Sequence, residues 1–349
     1  MAAGPDAVIQ VGSVYYFTTG EAPGGAGFDS VYSVTEGGKP QLIADLLPIE
    51  KANNFDGGFE SPGKPETIVN AYDLAWDGKS MLVSAVEEER IYRFDPASGK
   101  VSDFRKYTGR TNGIALGPNG SVFGAQEGGR RVVEFRPDGS TGPTNDLLDG
   151  QHHNQPTDVA VDRRGRVWFA DAFNATAPYG PPVYAFPDHA SVLRLERKGN
   201  DWKLARVTTD TQNARAIALS PDEKTLYVAE GDPGRKGPRE LRAYPVNDDG
   251  SVGKPKALHE FSSSERGIEG VCVDSEGNVI AVGGSSQGGA GALVYVFSPS
   301  GKLEEKHPAP ADAPARVAFG DADLGSLYVT TEGGHVYRAK DTGLKGVKR

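Results

Sequence analysis

The chain has 349 residues, of which 47 are acidic and 38 are basic, and its formal net charge is −9. This balance disfavours nucleic acid or an anionic membrane as the main partner, because both attract a positively charged protein surface. We also expect no membrane span, because no run of about 18 apolar residues occurs. We therefore predict a soluble protein with a small-molecule ligand or substrate, and we make no prediction of its oligomeric state.

The chain begins with MAAGPDAVIQ, which lacks the basic and apolar segments of a signal peptide. This start leaves the localisation open between the cytoplasm and export with a leader that has been removed. Residues 6–47 then carry four short apolar runs, AVIQ, VYYFTT, SVYSVT and PQLIADL. Their composition and length are typical of short β-strands.

Six related stretches follow, and each has an apolar run, a turn rich in Asp, Asn, Pro and Gly, and further apolar runs. They begin at Tyr72, Asn112, Thr157, Arg215, Glu269 and Arg316. The unit thus recurs about every 40 to 60 residues, which is typical of propeller blades. No stretch has sustained helical periodicity. We predict an all-β fold, a β-propeller of four-stranded antiparallel sheets, with residues 1–349 in one domain and seven blades by strand count.

The innermost strand of each blade begins near one mouth of the central channel, so the first residues of the repeats should converge there. Polar and charged residues at these positions predict a functional site, although strand starts near loops are often polar in any case. Glu269 is the candidate general acid or base, and Asp158 is a second candidate catalytic carboxylate. The candidate substrate-binding residues are Tyr72, Arg110, Asn112, His152, His153, Thr157, Arg215 and Arg316.

Two neighbouring histidines, His152 and His153, precede Asp158 in the stretch DGQHHNQPTD. They are candidate metal ligands or general bases, or simply surface residues of a loop. Because neighbouring strand residues point to opposite faces, we expect at most one of them to face the cavity.

A further acidic set ends the second strand of most repeats. We expect these carboxylates to accept hydrogen bonds from loop amides or to pair with Arg130, Arg131 and Arg239 rather than to act in catalysis. The set is Glu21, Glu87, Glu127, Asp171, Glu230 and Glu332.

Four segments, GRTNGIALGPNGSVFGAQEGGRRVVEF, QPTDVAVDRRGRVWFADAF, ALSPDEKTLYVAEGD and GIEGVCVDSEGN, resemble the gluconolactonase and senescence-marker-protein family of propellers. The resemblance extends over about residues 70–339. It implies a ring of six blades rather than seven, and hydrolysis of a lactone or an ester. It also implies a divalent cation such as Ca²⁺ at the channel mouth.

The chain departs from the family at each position where the resemblance implies a cation ligand. Tyr72 in YDLAW replaces the acidic residue of EGPAW, and Thr157 in PTD replaces the asparagine of PND. Arg215 in ARA replaces the asparagine of PNG, which leaves Glu269 in IEG as the remaining carboxylate. A guanidinium group is positively charged and only donates hydrogen bonds, so it cannot bind a cation. The cofactor is therefore not predicted.

Three functions stay open. The first is a hydrolase of a lactone or ester that works without the family's cation, with Arg215 and Arg316 binding the substrate's oxygens. The second is a non-catalytic propeller that binds a small anion or a sugar acid. The third is a structural ion-pair cluster of Arg215, Glu269 and Arg316 in an empty channel. No GxSxG, HExxH or CxxC motif occurs, so a serine or cysteine hydrolase is not supported. We favour the hydrolase.

Overall fold

The structure is a computed structural model. It describes most of the chain from residue 100 onward and isolated strands before it. The described residues are 5–11, 13–19, 30–35, 41–45, 71–76, 81–85, 89–95, 100–173, 186–187, 190–231, 237–262, 265–286, 288–309, 314–320, 324–331, 336–339 and 342–347.

The strands form successive antiparallel sheets in which each strand pairs with the next one in the chain. The first two sheets contain β1 (Pro5–Val11), β2 (Val14–Thr19), β3 (Ser30–Thr35) and β4 (Gln41–Asp45), then β5 (Ala71–Trp76), β6 (Met81–Ala85), β7 (Arg90–Asp95) and β8 (Lys100–Lys106). The third contains β9 (Thr111–Leu116), β10 (Val122–Gln126), β11 (Arg131–Phe135) and β12 (Thr141–Pro143), with a short 3-10 helix, Pro118–Gly120, between β9 and β10.

A small two-stranded sheet follows, formed by β13 (Leu147–Leu148) and β14 (Gln151–His152). The next two sheets contain β15 (Gln155–Val161), β16 (Val167–Ala172), β17 (Ser191–Lys198) and β18 (Asp201–Arg206), then β19 (Ala214–Leu219), β20 (Thr225–Glu230), β21 (Arg239–Pro245) and β22 (Lys256–Phe261). The last two contain β23 (Ile268–Val273), β24 (Val279–Ser285), β25 (Gly288–Phe297) and β26 (Leu303–Pro308), then β27 (Pro314–Gly320), β28 (Ser326–Thr331) and β29 (Val336–Ala339).

Strand β16 shows why these sequences form sheets that pack face to face. Val167 and Phe169 belong to a core shared with the sheet of β9–β12, whereas Trp168 and Ala170 belong to a core shared with the sheet of β19–β22. All four side chains are fully buried. Because successive strand residues point to opposite faces, a strand buried on both faces needs a continuous apolar run. The run VWFA meets that need.

The first strands of the sheets lie next to one another. Among the described residues, β1, β5, β9, β15, β19, β23 and β27 contact one another in this order, and β27 contacts β1. The predicted all-β propeller is confirmed. The described sheets favour the larger blade count, whereas the family resemblance implies six, so the number of blades stays a prediction. That the whole chain forms one domain also stays a prediction.

Across the part of the chain that the structure describes, no helix has the length and the apolar composition needed to cross a membrane.

Candidate functional site

A β-bulge recurs near the start of the inner strands. In β19, Ala214 pairs with Glu230 and Ala216 pairs with Ala229, so Arg215 is the residue that the register skips. The same irregularity skips one residue in β15, Thr157, and one in β23, Glu269. We call Thr157, Arg215 and Glu269 the bulge residues. They occupy equivalent positions in three successive sheets, and bulges are frequent next to active sites.

Three more of the predicted site residues lie near the bulges of other inner strands. Asn112 falls between the paired residues of β9, and Tyr72 falls between those of β5. In β27, Pro314 pairs with Thr331 and Arg316 pairs with Thr330, so the skipped residue is Ala315. Arg316 therefore has the register position of Asp158 rather than that of Arg215. The side chains of Tyr72 and Arg316 lie outside the described residues.

The Glu269 carboxylate lies between two guanidinium groups. Arg215 donates from Nη2 to its Oε2 at 2.8 Å, and Arg266 donates from Nε to its Oε1 at 3.2 Å. The Glu269 side chain is only 6% exposed. A buried carboxylate needs such partners, because desolvation of an unpaired charge is costly. Glu269 and Arg215 thus meet between neighbouring inner strands, as their positions at the strand starts predict.

Arg215 retains hydrogen-bonding capacity beyond its bond to Glu269. Its side chain is 35% exposed. Its Nε is buried and has no hydrogen-bond partner among the described residues. Its backbone carbonyl accepts a hydrogen bond from Thr157 Oγ1 at 3.2 Å, which ties two bulges together. The guanidinium group is therefore held in place on one edge and accessible on another.

Asp158 is bonded differently from Glu269. Its Oδ1 accepts the backbone N–H of Val159 at 2.9 Å, and its Oδ2 accepts the backbone N–H of Ile217 at 2.9 Å. Val159 is in the same strand, whereas Ile217 is in the inner strand of the next sheet. The carboxylate thus links two neighbouring sheets, and its predicted catalytic role stays a prediction.

Asn112 is positioned by a second ion pair. Its Nδ2 donates to Glu127 Oε2 at 2.9 Å, while Arg110 Nε lies 3.6 Å from Glu127 Oε1. Ser84 Oγ donates to the Asn112 backbone carbonyl at 2.9 Å. Arg110 has a φ of 53°, in the left-handed region that non-glycine residues seldom adopt and that is enriched at functional sites. With its amide nitrogen bound to Glu127, Asn112 presents its side-chain oxygen as a hydrogen-bond acceptor.

The two neighbouring histidines have separate partners. His153 is buried, and its Nδ1 lies 2.9 Å from Asp171 Oδ1, while its backbone carbonyl accepts hydrogen bonds from Arg130. His152 is half-buried, and its Nδ1 lies 3.3 Å from Asp146 Oδ2. Within the described ranges no three or more His, Cys, Asp or Glu side chains come together as a possible metal site. A role of either histidine in substrate binding stays a prediction.

Two of the acidic residues that end the second strands accept hydrogen bonds from loop amides, as predicted. Asp171 Oδ2 accepts the backbone N–H of Asn154 at 2.8 Å. Glu230 Oε1 accepts those of Gln212 and Asn213, at 2.6 and 2.9 Å. Burial raises the pKa of the Glu230 carboxyl above its ordinary value. The remaining members, Glu21, Glu87 and Glu332, lie outside the described residues.

Two partners in the site were not predicted from the sequence. Arg266 pairs with Glu269 from the loop before β23, and its position three residues before Glu269 is the signal that could have indicated it. Glu127 binds both Asn112 and Arg110, although the sequence places it only in the acidic set at the ends of second strands.

A cavity of about 440 Å³ lies at the other end of the inner strands, away from Glu269. Leu116, Asp162, Leu219 and Val347 are among its lining residues. Asp162 accepts its hydrogen bonds from its own turn, so we do not place the site there.

The cation that the family resemblance implies does not fit the described residues. Both oxygens of Glu269 accept hydrogen bonds from guanidinium groups, and both oxygens of Asp158 accept them from backbone amides. Arg215 brings a positive charge to a position where a cation needs an oxygen ligand.

Successive antiparallel sheets, packed face to face with polar residues at equivalent inner-strand bulges, define a β-propeller with a candidate site at one channel mouth. A family model described as the SMP-30/gluconolactonase/LRE-like region matches residues 140–333, which is more than half of the chain. The chain belongs to this family.

Relatives of known name are about a quarter identical to the chain over the aligned residues. A gluconolactonase of Zymomonas mobilis subsp. mobilis is 26% identical over 269 residues, which cover 67% of this chain and 70% of that one. A 6-deoxy-6-sulfogluconolactonase of Pseudomonas putida is 26% identical over 258 residues, 71% of this chain and 81% of that one.

Solved structures agree with the fold. A gluconolactonase from Xanthomonas campestris has a TM-score of 0.58 at 25% identity, covering 75% of this chain and 82% of that one. A streptogramin B lyase has a TM-score of 0.64 and covers 97% of this chain and 93% of that one. Its identity is 14%, so it supports the fold alone.

Proposed function

We propose that the chain hydrolyses a small oxygen-rich substrate, a lactone or an ester, at the channel mouth that contains Glu269. The observation that carries the proposal is the contact between Arg215 and Glu269, two residues at equivalent bulges of neighbouring inner strands, 2.8 Å apart. Membership of the family and the lactonase names of its relatives support the same class of reaction.

The contacts support a division of roles between the charged groups. The partly exposed guanidinium of Arg215 donates hydrogen bonds to the carbonyl oxygen, where negative charge develops in the transition state. Glu269 takes a proton from water, and the water oxygen bonds to the carbonyl carbon. The bond from that carbon to the ring or ester oxygen then breaks, and the leaving oxygen takes up the proton. A lactone yields a hydroxy acid by this route.

Neighbouring polar groups support an oxygen-rich substrate. The side-chain oxygen of Asn112 can accept a hydrogen bond from a substrate hydroxyl group, because its amide nitrogen is engaged by Glu127. Contact of the substrate with the other predicted residues stays a prediction; these are Tyr72, Arg110, His152, His153, Thr157 and Arg316. The acidic net charge supports a small-molecule substrate rather than nucleic acid.

The test is a comparison of the unaltered chain with Glu269→Gln on a panel of sugar lactones and aryl esters. Glutamine keeps the shape of glutamate but cannot accept the proton, so we expect kcat/KM per folded molecule to fall by about 10²- to 10⁴-fold. The thermal unfolding temperature should fall as well, because Arg215 and Arg266 lose their anionic partner. Glu304→Gln is the matched control, because Glu304 pairs with Lys302 on an exposed outer strand.

Two outcomes would contradict the proposal. Full activity of Glu269→Gln would remove this carboxylate from the mechanism. Absence of turnover on the whole panel would favour the second candidate, a non-catalytic propeller that binds a small anion or a sugar acid. That candidate is supported by one observation, namely that both oxygens of Glu269 already accept hydrogen bonds from arginines.

A further inference from the structure

The bulge residues give the channel mouth a charge distribution of their own. Where the family resemblance implies oxygen ligands for a cation, this chain has a guanidinium group at Arg215 and a hydroxyl group at Thr157. The Thr157 hydroxyl donates to the Arg215 carbonyl at 3.2 Å, so it lies against the neighbouring bulge. Of these three residues, only Glu269 has a carboxylate.

A divalent cation at Glu269 would have to share the carboxylate with two guanidinium groups. Arg215 and Arg266 lie 2.8 and 3.2 Å from its two oxygens. Charges of the same sign repel strongly at such separations when little water lies between them. Ca²⁺ also needs six to eight oxygen ligands, which these residues do not supply.

We propose that Arg215 stands in place of the cation and that the site binds a carboxylate of its ligand through this guanidinium group. The proposal rests on the proposed function for the origin of that carboxylate, because hydrolysis of a lactone produces one at the carbonyl carbon that Arg215 faces. The chemical class of ligand is a sugar acid or a related hydroxy acid, and binding needs no divalent cation.

The geometry of Arg215 fits this role. A guanidinium group presents its donors in a planar fork that matches the two oxygens of a carboxylate. Glu269 holds one edge through Nη2, and Arg266 in turn holds Glu269. The Arg215 side chain is 35% exposed, whereas its Nε is buried, so the nitrogens open to a ligand are the terminal ones. A ligand can therefore reach an arginine that is already oriented.

The test uses isothermal titration of the full chain, treated with a chelator and dialysed, with gluconate and with sorbitol. The two probes have the same carbon skeleton and differ in the carboxylate. We expect gluconate to bind at least about 10-fold more tightly than sorbitol, because a bidentate charged contact contributes on this scale. Titration with CaCl₂ should give no saturable binding that depends on Glu269.

Variants locate the effect. Arg215→Gln should weaken gluconate by about 10- to 100-fold and leave sorbitol unchanged. Arg215→Lys keeps the charge but loses the planar fork, so its affinity for gluconate should lie between that of the unaltered chain and that of Arg215→Gln. Arg163→Gln is the matched control, because Arg163 is an exposed arginine that pairs with Glu223. Circular dichroism reports whether each variant is folded.

Equal affinity for gluconate and sorbitol, or unchanged gluconate affinity in Arg215→Gln, would overturn the proposal. So would one Ca²⁺ bound per chain and lost in Glu269→Gln. If Arg215→Gln does not fold, the two probes and CaCl₂ on the unaltered chain still decide. Gluconate binding without turnover of any lactone would support this inference while overturning the proposed hydrolase. Turnover of a lactone with equal binding of gluconate and sorbitol would support the proposed hydrolase and overturn this inference.

Discussion

Buried carboxylates occur at both ends of the inner strands, and the two ends bind them differently. At the end away from the candidate site, Asp162 accepts hydrogen bonds from Arg166 Nε and Trp168 Nε1, at 2.6 and 2.9 Å. Both donors lie within six residues of it in the chain. At the channel mouth, Glu269 pairs with Arg215, which is 54 residues away and belongs to another sheet.

The difference shows that burial of a carboxylate does not by itself indicate function. Asp162 is satisfied by its own turn, and Asp274 repeats the arrangement with the backbone and side-chain nitrogens of Asn278. These carboxylates shape the turn between two strands and have local donors. Glu269 has one local donor, Arg266, but it also joins two sheets through Arg215, whose side chain is 35% exposed. An exposed donor beside a buried charge is what a ligand can use.

The largest effect on stability should come from Asp162→Ala. The Arg166 guanidinium would lose its partner at 2.6 Å in a position where it is 6% exposed. Removal of one member of a buried ion pair costs about 3–5 kcal/mol, because the other charge is left unpaired. We expect a loss of this size in the free energy of unfolding measured in urea, with turnover per folded molecule unchanged at low temperature.

Asp249→Ala is the control for this variant. Asp249 also caps its own turn, by accepting the backbone N–H of Ser251 at 2.9 Å, but it is exposed. Its removal should cost less stability than that of Asp162. If Asp162→Ala kept its stability and lost turnover, the distinction between the two ends of the strands would be wrong.

A smaller effect should come from Asp158→Asn, which tests the comparison at the channel mouth itself. Asp158 lies one residue after a bulge residue, yet both of its oxygens accept backbone amides, as Oδ1 of Asp162 does. Asparagine keeps one acceptor oxygen and loses the other, so we expect a loss of about 1–3 kcal/mol in the free energy of unfolding. Turnover of the folded fraction should be nearly unchanged. A loss of kcat with unchanged stability would instead support Asp158 as a catalytic carboxylate.

Much of the fold follows from local properties of the sequence. Stretches of apolar residues ending in Asp, Asn, Pro and Gly turns predict short strands, and the strands β9, β15, β19, β23 and β27 begin within three residues of the predicted positions. Their repetition predicts the propeller, because every sheet must cover both of its faces. The blade count depends on how the ends of the chain pair, which local properties do not specify.

The candidate site could be predicted only in part, because register is a property of strand pairs. Arg215 and Arg316 both follow an alanine at the start of a repeat, and the sequence therefore makes them equivalent. Pairing to the second strand places the bulge at Ala315 in β27, so Arg316 is one position further along. Arg266 stands three residues before Glu269, but this spacing alone did not establish the pair, because the conformation of the loop before β23 decides which side chains reach Glu269.

The smallest effect on the free energy of unfolding should come from Glu230→Gln, and this effect should depend on pH. Burial raises the pKa of Glu230 above its ordinary value of 4.5, although the amides of Gln212 and Asn213 act in the opposite direction. The folded state therefore keeps this proton to a higher pH than the unfolded state does. By linkage, the wild-type chain loses stability as the pH rises from about 4.5 through the folded-state pKa, and the loss then stays constant. Glutamine does not titrate, so the stability of Glu230→Gln relative to wild type should improve over that range.

Urea unfolding of both chains between about pH 4 and about pH 8 measures the difference. If the difference in the free energy of unfolding did not change with pH, ionisation of Glu230 would not destabilise the fold. That result would mean that the hydrogen bonds from the loop fully compensate for burial of the charge. If the stability of Glu230→Gln relative to wild type improves with pH, the charge on Glu230 destabilises the fold although loop amides bind it. Asp162 differs, because its donors include a charged arginine.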